Sequence, residues 1–258
     1  MSPRLHLLSF ASSRFGSLHR LRREAEAMAG WSSMNLLSAG DLGEDYWQAC
    51  GDLVRTHPRR GFGFWSWKPY LIHRQLASLP AGDILMYVDA GCSLNPEGRA
   101  RLGGYVERTL RSGCFVFEAG HAIGPYTKRG LLQALGADDT SSRALPMLQA
   151  SCLFAVARSD IIDLARCWYE TMQVRALVDD SPSPDELPGF VAHRHDQSVF
   201  SVLAHRQGVE HASDETYWHP DWNAHLDYPV HARRWKHRVG WPTAWMRRPT
   251  LGSILRRI

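Results

Sequence analysis

The sequence predicts one α/β domain with a mostly parallel central sheet and helices on both faces, and three observations carry that reading. Apolar, strand-length runs alternate with segments of helical period as far as residue 175. The chain has 258 residues, enough to bury a substantial core without disulfides. The run Gly82-Asp83-Ile84-Leu85-Met86-Tyr87-Val88-Asp89-Ala90-Gly91 is a buried strand that ends on a carboxylate followed by two very small residues. Open α/β sheets hold ligands beyond the C-terminal strand ends, where the loops diverge and leave a crevice. Asp89 is therefore the first candidate for a ligand or metal contact.

Taken in order, residues 5–10 are expected as the first buried strand and 17–29 as a helix capped by Ser17 and stopped at Gly30. A short strand at 34–37 and a helix at 44–54 follow. The run Arg60-Gly61-Phe62-Gly63-Phe64-Trp65-Ser66-Trp67-Lys68-Pro69-Tyr70 then alternates glycine with aromatics. Its glycines allow a tight backbone path, and Pro69 suits the first turn of a helix running to about residue 79. Beyond Asp89 the pattern predicts a helix at 99–110, a strand at 114–117, a helix at 126–135, a strand at 150–157 and an amphipathic helix at 159–175 capped by Ser159. Residues 179–188 form a loop rich in Pro, Ser and Asp, long enough to count as functional or mobile. A last helix opens within His193-Arg194-His195-Asp196-Gln197-Ser198, with Asp196, Gln197 and Ser198 in its first turn and Val199, Phe200, Val202 and Leu203 turned inward.

Composition narrows the function classes. No phosphate-binding glycine loop follows the first strand, which argues against kinases, P-loop enzymes and dinucleotide oxidoreductases. The five cysteines are scattered and never form C-x-x-C, so free thiols in a reducing compartment are expected. No run approaches the roughly 20 apolar residues of a membrane span, and the chain reads as cytoplasmic. The net charge of +4 hides an asymmetry: residues 230–258 carry eight Lys or Arg and no acid, leaving 22 bases against 26 acids elsewhere. Trp235, Trp241 and Trp245 punctuate this basic tail, a pattern suited either to packing on the domain or to peripheral contact with an anionic membrane. Nucleic acid is not an expected partner, because no recognition motif accompanies the charge.

The blocks Arg60 to Tyr70, Tyr87 to Cys92 and His193 to Ser198, in this order and spacing, resemble the signature of bacterial glycosyltransferase-like proteins from capsule and surface-polysaccharide loci. The resemblance spans roughly residues 5–206. It implies a GT-A-like, nucleotide-diphospho-sugar transferase fold over residues 1–240, with 241–258 as a basic tail. By that resemblance the partners are a nucleotide-sugar donor and a glycan or lipid-linked acceptor at the inner membrane face. Such folds place D-x-D at the end of a central strand to hold a divalent cation, Mg²⁺ or Mn²⁺, against the donor diphosphate. Asp89 matches the first position, but Gly91 stands at the third, so half of that motif is missing. His231 or His237 would supply a second ligand.

The same resemblance places Asp196 and Gln197 beneath the donor sugar, in the manner of the D-Q pair of several retaining GT-A families. Donor contacts are expected from Ser9 and Arg14 after the first strand, from Trp65 by stacking, from Lys68 on phosphate, and from Asp89, Ala90, Gly91 and His195. An ammonium at a helix start suits a diphosphate, since a leaving diphosphate gathers negative charge. Two other readings stay open: a metal-dependent hydrolase using His193, His195, Asp196 and Asp89, and a non-catalytic glycan-binding protein. Lys128 reads as a surface helix charge and Glu118 as a strand-end acid.

Overall fold

Successive buried residues along the central strands face two different cores, and that alternation fixes a three-layer architecture. Leu8, Leu85, Tyr87, Val116 and Leu153 face one core; Leu7, Met86, Val88, Phe115 and Phe154 face another. The computed structural model describes residues 2–12, 16–181, 183, 185–216 and 225–233. The main sheet contains β1 (Leu5–Ala11), β2 (Ser33–Ser38), β3 (Ile84–Val88), β5 (Cys114–Ala122), β6 (Pro146–Val156) and β7 (Glu210–Ala212), in the order β2-β1-β3-β6-β5-β7. Strands β4 (Ser93–Leu94) and β8 (Val230–His231) pair separately.

Five strands of the main sheet run one way, and β6 runs antiparallel to both of its neighbours, β3 and β5. The expected mostly parallel sheet is thus present, with one reversed strand in it. Helices α1 (Gly16–Met28) and α4 (Arg99–Ser112) cover the face with Leu7 and Phe115. Helices α2 (Glu44–Thr56), α3 (Trp67–Ser78), α7 (Ser159–Met172) and α9 (Asp196–Arg206) cover the other. The short helices α5 (Arg129–Ala134), α6 (Thr140–Ala144) and α8 (Arg175–Val178) lie in the connections.

Most departures from expectation are at element ends, where polar residues mask the apolar pattern. Strand β5 continues five residues past Phe117 with two register shifts, because Glu118, Gly120 and His121 interrupt its apolar run. Strand β6 starts at Pro146 rather than 150, and β1 runs one residue further than expected, to Ala11; Ser9 lies within the strand and not after it. The segment expected as a helix at 126–135 divides into a 3₁₀ turn at Gly124–Tyr126 and α5. Helix α7 takes Arg158 as its cap and Ser159 as its first residue. The basic tail beyond residue 233, with His237, lies outside the described residues, as does Arg14. Among the described residues no helix is long and apolar enough to cross a membrane.

Candidate active site at the end of strand β3

Period-two geometry puts Tyr87 and Asp89 on the same side of the chain as β3 ends. The Tyr87 ring is fully buried, and its hydroxyl donates to Asp89 Oδ1 at 2.5 Å. The Asp89 amide donates to the Ser151 carbonyl of β6 at 2.8 Å. From α1, the buried Arg20 guanidinium donates to the carbonyls of Ala90 and Cys92, both at 2.8 Å. The turn carrying Asp89, Ala90 and Gly91 is held on both flanks.

Lys68, the second residue of α3, reaches this turn. Its ammonium lies 3.3 Å from Asp89 Oδ1 and 2.8 Å from Asp196 Oδ2, with the Lys68 and Asp196 side chains 3% and 6% exposed and Asp89 32% exposed. Burial pushes the Asp196 carboxyl up to about 6, with the Lys68 charge offsetting part of that push. Burial works against the Lys68 charge as well, but the two carboxylates outweigh it and leave the ammonium above its ordinary range. Three sequence-distant segments therefore converge on a carboxylate–ammonium–carboxylate cluster.

The glycine-aromatic run explains how Lys68 gets there. Gly61, Phe62, Gly63, Phe64 and Trp65 have φ of 60°, 53°, 80°, 58° and 62°, one turn of left-handed coil. The Phe64 and Trp65 amides donate four residues back, to Arg60 O at 2.8 Å and Gly61 O at 3.0 Å. Left-handed backbone costs about 1–2 kcal/mol at each non-glycine residue. Ring contacts offset it: Phe64 and Trp65 pack on His195, while Trp67 stacks on Phe10 at 4.1 Å and donates its indole N–H to Gly61 O. At Gly63 a Cβ would come within 3.0 Å of the Val54 backbone, so the close approach to α2 needs glycine.

His195 is a second strained point, with φ 50° and ψ −118° immediately before Asp196. Its Nδ1 donates to the Val178 carbonyl at 2.7 Å, its Nε2 lies 3.4 Å from Asp180, and Arg60 forks onto Asp180 at 2.8 and 3.1 Å. His193 Nδ1 accepts from the Lys128 amide, and burial pushes this imidazole down to about 3, so it is neutral near pH 7. His195 is lowered too, mainly by burial. Gln197 is half-buried, and its side-chain amide has no protein partner among the described residues.

The structure thus brings together Lys68, Asp89, Ala90, Gly91, Asp196 and Gln197, with the half-buried Trp65 stacked on His195 beside them. Ser9 is fully buried with its hydroxyl unpartnered. His231 pairs with Ser93 across the small sheet and lines a hollow with Glu24, Asn95 and Glu97; Arg233 donates to its Nδ1 at 3.1 Å. Arg20 and Tyr87 did not stand out in the sequence, although the i, i+2 spacing of Tyr87 and Asp89 signals a shared face. Lys128, expected on the surface, is buried and holds the start of the 179–188 loop through Asp179 at 3.1 Å and Ser181 at 3.1 Å. Glu118 accepts from His211 Nδ1.

A divalent cation of the D-x-D kind does not fit these residues. Asp89 Oδ1 is already engaged by Tyr87 and Lys68, Gly91 offers no carboxylate, and Arg20 takes the neighbouring carbonyls. Among the described residues no three His, Cys, Asp or Glu side chains come together as a metal site. The same holds for the His193, His195, Asp196 and Asp89 set on which a hydrolase would depend.

Strand order, the single reversed strand and the carboxylate at the end of β3 define a GT-A-type α/β fold. The chain is similar to a glycosyltransferase involved in the glycosylation of the major capsid of PBCV-1, at 10% identity and a TM-score of 0.50, covering 94% of this chain and 96% of that one. It also matches mouse xyloside xylosyltransferase 1 in its apo form, at 9% identity and a TM-score of 0.46 over 91% and 95% of the two chains. A third match is galactosyltransferase LgtC in complex with donor and acceptor sugar analogues, at 13% identity and a TM-score of 0.46 over 88% and 86%. At such identities the likeness is one of fold. No protein-family profile matches the chain, and no curated protein matches it in sequence.

Proposed function

We propose that the protein is a glycosyltransferase that moves a sugar from a nucleotide-diphosphate donor to a glycan or lipid-linked acceptor in surface-polysaccharide synthesis. The observation that carries this reading is the convergence of Lys68, Asp89 and Asp196 beyond the C-terminal end of a central strand of a GT-A-type fold. In the reaction the bond from the anomeric carbon to the diphosphate breaks with its electron pair going to the phosphate oxygen. The acceptor oxygen then bonds to that carbon and gives its proton to the departing diphosphate oxygen. Lys68 supplies positive charge to the leaving diphosphate, where preorganised charge lowers the barrier most. Asp196 and Gln197 face the donor sugar, with the Gln197 amide near the anomeric centre, an arrangement that favours retention of configuration. Trp65 offers an apolar face to a sugar or base ring. Docking of the basic tail on anionic lipid would bring a lipid-linked acceptor to the site.

The test is a thermal-shift screen against UDP-, GDP- and dTDP-sugars, with a CMP-sugar as the monophosphate control, paired with detection of released sugar. One donor should raise the melting temperature and be slowly hydrolysed, as mass action requires of a ligand that binds only the native state. Asp196→Asn should abolish the hydrolysis. Silence across the whole panel, with retained binding to glycan arrays, would replace the transferase by a glycan-binding protein.

A further inference from the structure

We infer that the Lys68 ammonium takes the place of the divalent cation at this strand end, so that the donor diphosphate is bound here without a metal. The inference rests on the transferase reading above and concerns how that same site neutralises phosphate charge.

Four observations lead to it. Two carboxylates, Asp89 and Asp196, flank one cation at 3.3 and 2.8 Å, the arrangement a pair of carboxylates gives a bound metal ion, but here the cation is covalently part of the chain. Among the described residues, two routes by which Asp89 would gain partners for a metal are closed, since the residue two positions on is Gly91 and the carbonyls of Ala90 and Cys92 accept from Arg20, and a third, through His231, leads to a hollow lined by Glu24, Asn95 and Glu97 instead. A divalent cation ligated by Asp89 would lie beside a buried ammonium, and like charges in a poorly solvated pocket repel strongly. Finally, an ammonium has three N–H donors and its two carboxylate neighbours take at most two of them, so a phosphate oxygen would take the third from the side of Asp89, the exposed member of the cluster.

The role of Asp89 changes accordingly. It is a positioning residue that holds Lys68 with the help of the Tyr87 hydroxyl, and is no longer a metal ligand. Asparagine at this position keeps an oxygen for both Tyr87 and Lys68 while removing a negative charge next to the incoming diphosphate. Loss of a metal-ligating carboxylate would have the opposite consequence.

The experiment is calorimetric titration of the full-length protein with UDP, GDP, CDP and dTDP, in EDTA and again in excess Mg²⁺ or Mn²⁺, for the wild type and Asp89→Asn. The expected result is one nucleoside diphosphate whose affinity differs by less than about threefold between EDTA and metal, and which Asp89→Asn binds as well or more tightly. Lys68→Met should lose at least about tenfold in affinity in either buffer; since this variant breaks a buried ion pair, the wild-type and Asp89→Asn comparisons decide the matter even if it folds poorly. Binding that weakens by about tenfold or more in EDTA, and that disappears in Asp89→Asn, would overturn the inference and leave the transferase reading standing. Absence of binding by all four nucleotides in both buffers would sink the two together.

Discussion

Replacing Lys68 by methionine should destabilise the protein by an amount that grows with pH, and the structure sets the size of that growth. Breaking a buried ion pair by removing one partner typically costs about 3–5 kcal/mol, because the other charge is left uncompensated. Asp196 has a way out, since it can take up a proton. In the wild type its folded-state value is about 6, above the 3.8 of an unperturbed aspartate. A carboxyl raised in this way contributes stability below its unfolded value, and that contribution is lost as pH rises through its folded value. Above about pH 6 the wild type has no more to lose from Asp196. In Lys68→Met the folded value moves higher still, so the loss continues with a slope of about 1.4 kcal/mol per pH unit. Between pH 6 and pH 8 the gap between variant and wild type should therefore widen by up to about 2.7 kcal/mol. Asp89 shares the ammonium at 3.3 Å, but it is a third exposed and water compensates most of its loss. Urea denaturation at several pH values from 5 to 8 reads the effect, and Lys68→Met/Asp196→Asn should show none of the widening. A pH-independent gap in the single variant would mean that Asp196 is not the ionised partner of Lys68.

The remaining expectations use the same reasoning. Sugar release from a donor should fall on the acid side with an apparent pKa of about 6, because protonated Asp196 no longer pairs with Lys68; a flat profile from pH 5 to 8 would remove Asp196 from the reaction. Lys128→Met should cost about 1–3 kcal/mol, because it removes the buried cation from Asp179 and leaves that carboxylate with Ser181 and the half-exposed Arg175 at 3.5 Å, whereas Arg60→Ala at the half-exposed pair with Asp180 should cost about 1 kcal/mol or less. Equal losses in the two variants by chemical denaturation would contradict the burial argument. Gly63→Ala should destabilise by about 1–3 kcal/mol through strain at φ 80° and the clash with Val54, and an unchanged melting temperature would show that the left-handed turn relaxes freely.

Much of the sheet was legible in the sequence because its strands are buried on both faces and read as unbroken apolar runs, as 84–88 does. What escaped was structure carried by polar residues. The outer half of β5, with Glu118, Gly120 and His121, has no apolar signature and is recognisable only once β6 is beside it. Asp89, Lys68 and Asp196 could each be singled out because each sits at an element boundary among small or aromatic residues. That one ammonium serves both carboxylates could not be read, since it depends on α3 and α9 packing against the same sheet face. Lys128 and Arg20 were hidden for a related reason: a basic residue on a helix defaults to solvent unless a buried acceptor is known. The handedness of residues 61–65 was also out of reach, because Phe62, Phe64 and Trp65 individually disfavour positive φ and are held there by ring contacts across the fold together with the backbone hydrogen bonds of the turn.

Two costly devices meet at the same cluster. The left-handed turn ends three residues before Lys68, and the strained His195 directly precedes Asp196, so each arm of the 2.8 Å ion pair is delivered by backbone held in a sparsely populated conformation. Such strain costs of order 1–3 kcal/mol per residue and persists where packing over-determines it, most often at functional sites. Buried ion pairs are themselves poor stabilisers, and apolar replacements of similar volume are often neutral or favourable by about 1–4 kcal/mol. If the cluster exists for donor binding and not for the fold, the double variant Lys68→Met/Asp196→Leu should be more stable than either single variant and at least as stable as the wild type. It should at the same time bind no nucleoside diphosphate. Urea denaturation and calorimetry on the four proteins test both halves: a double variant as unstable as the sum of the two singles would make the pair a structural tie, and the strain beside it would then need a different explanation.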